Sequence, residues 1–181
     1  RLLATAGARD MILRFFREWM HYDRFDSFSY TAAFLNGIST TNLAANMTRE
    51  VDDLLNHMIL NQDATFQDLM TTRQSFVYAG NLAAIYGIAN PNGGVTLPAD
   101  RPGLFSRAAF LTKRSGNLTS PIKRGLFILE DVLCQGVGAP PPDAPGNLTP
   151  LPPGQYLTTR ERVEHMTQAP GTSCLSCHGR M

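Results

Sequence analysis

The residues best suited to chemistry in this sequence are two cysteines and a histidine near its end. Cys174, Cys177 and His178 form the pattern Cys-x-x-Cys-His, which is the attachment pattern of a c-type haem. Two thiols on one helical turn can each form a thioether with a haem vinyl group, and the adjacent histidine can bind the iron as the proximal ligand. We therefore predict that Cys174 and Cys177 attach haem c and that His178 binds its iron.

Two other chemistries use the same residue types. A Cys-x-x-Cys pair can be a redox dithiol, but that motif usually opens a helix in a βαβ unit, and the sequence indicates no such unit. The pair can also be half of a zinc site, which His178, His165 or Cys134 would complete. Both alternatives stay open beside haem attachment. Cys134 has no further thiol to pair with, so we predict a small buried side chain rather than a disulfide partner.

The ligand on the opposite face of the haem would decide the chemistry, since a second strong ligand favours electron transfer and an open site permits peroxide or small-molecule chemistry. His165 is the first candidate, because the thirteen residues that separate it from His178 can wrap a haem edge. Met166 is the second, and Met181 follows His178 too closely to reach that face. A local hydrogen bond is the alternative role for His165. The other candidates for the distal ligand are His21, His57, Met20 and Met58, and packing in the core is the alternative role for each of them.

Three arginines near the motif can pair with haem propionates, and simple exposure to solvent is their alternative role. They are Arg160, Arg162 and Arg180. Three functions fit such a site. We favour electron transfer by a monohaem domain within a larger exported assembly; the others are a peroxidase-like haem oxidoreductase and a structural module stapled by haem or metal. The partner would be a redox protein, or another chain or segment of the same parent protein.

Charge and hydropathy exclude other classes of function. The net charge of the 181 residues is +1, which leaves no electrostatic footprint for nucleic acid or an anionic membrane. No run of eighteen apolar residues occurs, so we predict no transmembrane segment. Because haem c is attached outside the cytoplasm in bacteria, we predict a periplasmic or extracellular protein, although no signal peptide is visible. Both ends interrupt structural patterns, and we expect a piece of a longer or processed protein.

Apolar periodicity predicts the longer helices. Residues 8–20 carry a wide apolar stripe, which is typical of a helix that faces a core. The stripe consists of Met11, Ile12, Phe15, Phe16, Trp19 and Met20, and the opposite face carries Arg9, Arg14, Arg17 and Glu18. Residues 48–60 predict a helix that Thr48 caps. Its three acids would then lie in the first turn, where they suit the helix dipole; the alternative is a metal site. These acids are Glu50, Asp52 and Asp53.

Local capping patterns predict shorter helices. Thr65 with Asp68 begins a short helix, and Thr158 with Glu161 forms a capping box for a helix that leads toward the haem motif. Apolar spacing predicts an amphipathic helix over residues 121–134, which opens on a Ser-Pro pair. Neither a series of alternating strands nor an internal repeat is apparent.

The region before the haem motif is rich in proline. Residues 139–153 hold seven of the twelve prolines, which predicts an extended, semi-rigid strap; a ligand for a proline-binding module is the alternative. We predict a mainly α fold, irregular and helical with long loops. Residues 1–98 would form a helical domain, and residues 99–181 a helix, the proline-rich strap and the haem-attachment segment, packed as one unit with the first.

The order of several short motifs resembles a known pair of domains. The first domain is indicated by residues 16–20, 49–51, 68–70, 76–77, 81–83 and 86–87, and the second by residues 101–105, 119–125, 139–142, 159–165 and the haem motif. Together they resemble the paired domains of unknown function that accompany cytochrome-c-like modules in large planctomycete and myxobacterial exported proteins.

This resemblance covers nearly the whole chain in the same order. It implies a haem c protein outside the cytoplasm, and it implies no particular substrate because the family has no assigned reaction. The family continues past the haem motif into a tail and a further small domain, whereas this chain stops at Met181. The resemblance therefore leaves the distal half of the haem site undefined within this sequence, and it favours a fragment or a chain that a partner completes.

Overall fold

The computed structural model describes residues 5–25, 30–113, 119–139, 157–168, 170 and 173–180. These residues are mainly helical, with one small sheet, which confirms the predicted mainly α, irregular fold. The chain divides into two compact units, Arg1–Lys113 and Arg114–Met181. Most of the predicted proline-rich strap, from residue 140 onward, lies outside the described residues.

The first unit opens with helix α1 (Ala6–Met20), which Thr5 caps by accepting a hydrogen bond from the Ala8 amide. The predicted apolar stripe on this helix is only partly buried: Met20 is buried and Ile12, Phe16 and Trp19 are half-buried, but Met11 is 71% exposed and Phe15 56% exposed. The same half-buried face also carries Arg9 and Arg17, both predicted to lie on the opposite side. Both arginines form contacts with later helices.

The residues that Arg9 and Arg17 contact lie in two later segments of the chain. Arg17 forms a bidentate ion pair with Asp52, and the Tyr22 hydroxyl donates to the same carboxylate at 2.7 Å. The Arg9 guanidinium donates to the side-chain oxygens of Asn56 at 3.4 Å and Asn61 at 3.3 Å. A short helix, α2 (Ala32–Leu35), lies between α1 and these partners in the chain.

The central element of the first unit is α3 (Leu43–Leu55), which continues as a π-helix over Asn56–Asn61. Six of its apolar side chains are buried: Leu43, Met47, Val51, Leu54, Leu55 and Met58. The helix begins five residues before Thr48, so the prediction that three acids occupy its first turn is wrong. Each acid has a tertiary or helical partner instead, and Asp53 pairs with Arg49 at 3.4 Å.

Short elements then cover α3. The capping box predicted at Thr65 is confirmed at the start of α4 (Phe66–Thr71). Strand β1 (Gln74–Val77) pairs antiparallel with β2 (Gly93–Thr96), and α5 (Gly80–Tyr86) lies between them in the chain. A 3₁₀ turn (Leu104–Ser106) and α6 (Ala108–Lys113) complete the unit.

The second unit holds three described helices. Helix α7 (Pro121–Phe127) passes into a π-helix over Ile128–Val132, so the predicted helix is present. Helix α8 (Thr159–Thr167) has the predicted capping box at Thr158, and α9 (Ser173–His178) follows. The prediction of a buried Cys134 is wrong: the thiol is exposed on a residue with a left-handed φ of 54°, where the π-helix has ended. Within the described ranges, no helix is long and apolar enough to span a bilayer.

Candidate functional site

Helix α9 carries all three residues of the Cys-x-x-Cys-His motif. Cys174 and Cys177 are three residues apart and therefore one helical turn apart. Both are free thiols and half-buried, so neither is consumed by a disulfide. His178 is the last residue of the helix. The geometry that the sequence predicts for the motif, two thiols on one turn beside a histidine, is thus present.

The His178 imidazole has an unmet hydrogen-bonding atom. Its Nδ1 is buried and has no hydrogen-bond partner among the described residues. A buried polar atom without a partner costs roughly 1–3 kcal/mol, and such atoms in native proteins often mark a missing ligand, ion or water. The free thiols and this half-buried imidazole fit a haem that binds through thioethers and a histidine ligand.

Neighbouring residues hold the helix that carries the motif. The side-chain amide of Gln168, just after α8, donates to the His178 backbone oxygen at 3.2 Å. The Gly179 amide donates to the Leu175 oxygen at 2.9 Å, and a Cβ at position 179 would lie only 2.7 Å from that oxygen. Glycine therefore allows the close approach that ends α9 directly after the histidine.

A second contact ties the motif to the end of the π-helix that follows α7. The Arg180 guanidinium donates to the side-chain oxygen of Gln135 at 3.2 Å. Both residues are exposed, and Gln135 is adjacent to the exposed Cys134. Of the three arginines predicted as propionate partners, Arg160 is engaged with Glu164 at 2.6 Å, and Arg162 is exposed.

The predicted distal ligands lie on α8. His165 is exposed in the last turn of that helix, and Met166 is half-buried. Helix α8 packs against both α7 and α9. In the part of the chain that the structure describes, no three His, Cys, Asp or Glu side chains come together as a metal site. The zinc alternative therefore gains no support, and the ligand role of His165 stays a prediction.

The remaining ligand candidates belong to the first unit. Met20 and Met58 are buried in its core, which is the packing role given as their alternative. His21 ends α1 in a left-handed conformation. His57 lies in the π-helix, and its ring packs edge to face against that of Phe76 with the ring centroids 5.2 Å apart. Its Nε2 is buried and has no partner within the described ranges.

Sequence reasoning missed a buried polar cluster in the first unit, formed by Glu50, Ser75, Tyr86 and Arg107. The Ser75 hydroxyl donates to one Glu50 carboxylate oxygen, and the Tyr86 hydroxyl donates to the other at 2.8 Å. The Arg107 Nε lies 3.9 Å from the Glu50 carboxylate. All four residues are buried, and Glu50, Ser75 and Arg107 are fully so. The only sequence signal is that Glu50 lies on the apolar face of α3.

Burial dominates the electrostatics of this cluster. It raises the pKa of Glu50, although the hydrogen bonds from Ser75 and Tyr86 and the charge of Arg107 oppose the rise. It also raises the pKa of Tyr86 well above the ordinary value, helped by the charge of Glu50, and lowers the pKa of Arg107. The cluster is therefore a buried pair of charges whose main cost is desolvation.

The raised pKa of Glu50 has a predictable effect on stability. Between the unfolded value, about 4.3, and the raised folded value, the folded state binds more protons than the unfolded state, so this group's contribution falls as pH rises. We expect the unfolding free energy of the wild type, relative to Glu50→Gln, to be highest below about pH 4.3 and to decrease as pH rises. Urea unfolding of both proteins at several pH values, followed by the fluorescence of Trp19, the single tryptophan, measures this difference in unfolding free energy. A relative stability that rises with pH would contradict the assignment.

Two family models match most of the chain. Residues 1–88 match the model described as PSD4, a protein of unknown function (DUF1592). Residues 101–181 match the model described as PSCyt3, a protein of unknown function (DUF1588). The resemblance to paired domains of unknown function, predicted from the motifs, is thereby confirmed. Neither a curated protein nor a solved structure matches the chain.

Proposed function

This chain carries the two paired domains of unknown function, and we propose that the second attaches a haem c and transfers electrons within a larger exported assembly. Cys174 and Cys177 would form the thioether links, and His178 would be the proximal ligand. The observation that supports the proposal most directly is the motif on α9: two free thiols one turn apart, beside a histidine whose Nδ1 is buried without a partner in the described structure.

Each residue of the site has a definite task. When bound, haem supplies one-electron chemistry at its iron, and the protein tunes that chemistry through the ligands and their surroundings. The Cys174 and Cys177 thiols would each add across a vinyl group and fix the position of the ring. The hydrogen bond from Gln168 to the His178 backbone oxygen would fix the position of the His178 backbone and so help to position the imidazole.

The surroundings of the motif suit contact with a redox partner. Leu175, between the two cysteines, is 38% exposed, and Leu133 is 53% exposed. Electron transfer needs a short path and a weak, transient contact, and small interfaces of this kind serve it. The partner would be a redox protein or another chain or segment of the same parent protein, and the location would be periplasmic or extracellular.

A visible absorption spectrum of the full chain, oxidised and reduced, tests the proposal. The chain should be produced with export and haem c maturation in the host. We expect one covalently bound haem per chain and the low-spin spectrum of a six-coordinate iron. A high-spin, five-coordinate spectrum with peroxide turnover would instead indicate the peroxidase-like oxidoreductase, and zinc without iron in metal analysis would overturn haem binding.

Replacing His178 distinguishes the covalent attachment of the haem from the binding of its iron. His178→Ala should keep the thioether-bound haem but change the spectrum of the iron, because the thioethers do not depend on the imidazole. His165→Ala should change the low-spin spectrum only if His165 is the distal ligand. A spectrum of His178→Ala identical to that of the wild type would show that His178 does not bind the iron.

A further inference from the structure

The boundary between the two family matches and the boundary between the two compact units do not coincide. The second family match begins at residue 101, whereas the first compact unit continues to Lys113. We propose that residues 101–113, the start of the second family match, are an obligatory part of the core of the first unit. The first domain could not complete its fold without them, which gives a physical reason for the two domains to occur in one chain.

The backbone of this segment is in close contact with the turn between α4 and β1. The Gly103 amide donates to the Thr72 oxygen at 2.7 Å. Gly103 has a φ of +69°, and a Cβ there would lie 2.0 Å from the backbone oxygen of Met70. Only glycine fits this approach, because it has no Cβ and adopts a positive φ without strain.

The side chain of Arg107 extends the contact into the interior. Its Nη2 donates to the backbone oxygens of Thr72 at 3.1 Å and Gln74 at 2.8 Å, and its Nη1 donates to the Arg101 oxygen at 3.0 Å. The side chain is fully buried beside Glu50. Without Arg107, the Glu50 charge would be buried without an ionic partner, and removal of one partner from such a pair is strongly destabilising.

Apolar side chains of the same segment complete the core. Four of them are at most 3% exposed: Leu104, Ala108, Ala109 and Phe110. The Phe110 ring lies 5.9 Å from that of Tyr22, centroid to centroid. The Ala108 amide donates to the Tyr86 hydroxyl at 2.7 Å, so the tyrosine that binds Glu50 is itself held by this segment. Loss of the segment would expose apolar surface and leave these polar groups unpaired.

A cut between the two family matches tests the proposal on the full chain. The recognition sequence of a specific protease is inserted between Ala99 and Asp100, which are exposed, and the folded protein is cleaved there. We expect the two fragments to elute together in native size-exclusion chromatography, to keep the helical circular dichroism of the uncut chain, and to separate in urea. Fragments that separate without denaturant would overturn the proposal.

A glycine variant with a matched control makes the test specific. In the cleaved protein, Gly103→Ala should lower the urea concentration at which the fragments separate, because the added Cβ meets the Met70 oxygen. Gly136→Ala should not lower it, since no atom lies within 4 Å of a Cβ at that position and its φ is not positive. Equal separation midpoints for the two variants would contradict the proposal. The test needs no haem, so its result is independent of the proposed function.

Discussion

Replacing both Cys174 and Cys177 by alanine should abolish covalently bound haem, whereas replacing Cys134 should leave it at the level of the wild type. The two thiols on α9 are the only ones that lie one turn apart and next to a histidine. A thioether survives denaturation, but a haem held by ligation alone does not. Haem staining after denaturing electrophoresis and the intact mass of the chain measure the covalently bound haem. Its loss in the double variant should be complete rather than partial.

The Cys134 variant is the matched control for this experiment. It removes one thiol from the same unit, and that thiol is exposed rather than part of the motif. Each single variant of the motif should keep one thioether and therefore some covalent haem. Covalent haem that persists in the double variant would refute the haem-attachment assignment, and equal loss in the Cys134 variant would show a general failure of maturation instead.

Features that depend on a few adjacent residues could be predicted from the sequence. The capping boxes at Thr65 and Thr158 are confirmed because a side chain and an amide three residues apart decide them. The placement of Cys174 and Cys177 one helical turn apart is of the same kind, since it depends only on their spacing in one helix. The family resemblance was predictable because it depends on the order of such local motifs.

Features that depend on residues distant in the sequence could not be predicted. The apolar stripe of α1 predicted that Arg17 lies on the opposite, exposed face, but Arg17 is half-buried and pairs with Asp52, thirty-five residues away, whereas Phe15 of the stripe is exposed. A charged residue on a helix is normally read as exposed. Glu50 is fully buried because Ser75, Tyr86 and Arg107 converge on it from three other segments, and periodicity carries no information on such partners.

Replacement of Arg107 should have a large effect on the stability of the first unit. Arg107→Met should lower the unfolding free energy of the first unit by about 3–5 kcal/mol, because it leaves the Glu50 carboxylate buried without its ionic partner and removes one hydrogen bond from each of three backbone oxygens. Urea unfolding followed by Trp19 fluorescence measures it. Arg14→Met is the matched control, since the Arg14 pair with Glu18 is exposed, and it should leave the urea midpoint unchanged.

A double-mutant cycle decides whether the loss comes from the charge pair itself. Glu50→Gln should also be destabilising, because an amide NH₂ group replaces one of the two oxygens that accept from Ser75 and Tyr86. The double variant removes both charges, so its loss should be smaller than the sum of the two single losses by about 1–3 kcal/mol. Additive losses would mean that Arg107 stabilises the unit only through the backbone oxygens of Thr72, Gln74 and Arg101. A coupling of the expected size would instead show that the pair, contributed by one residue from each family match, is itself one of the contacts that join the two matches in one core.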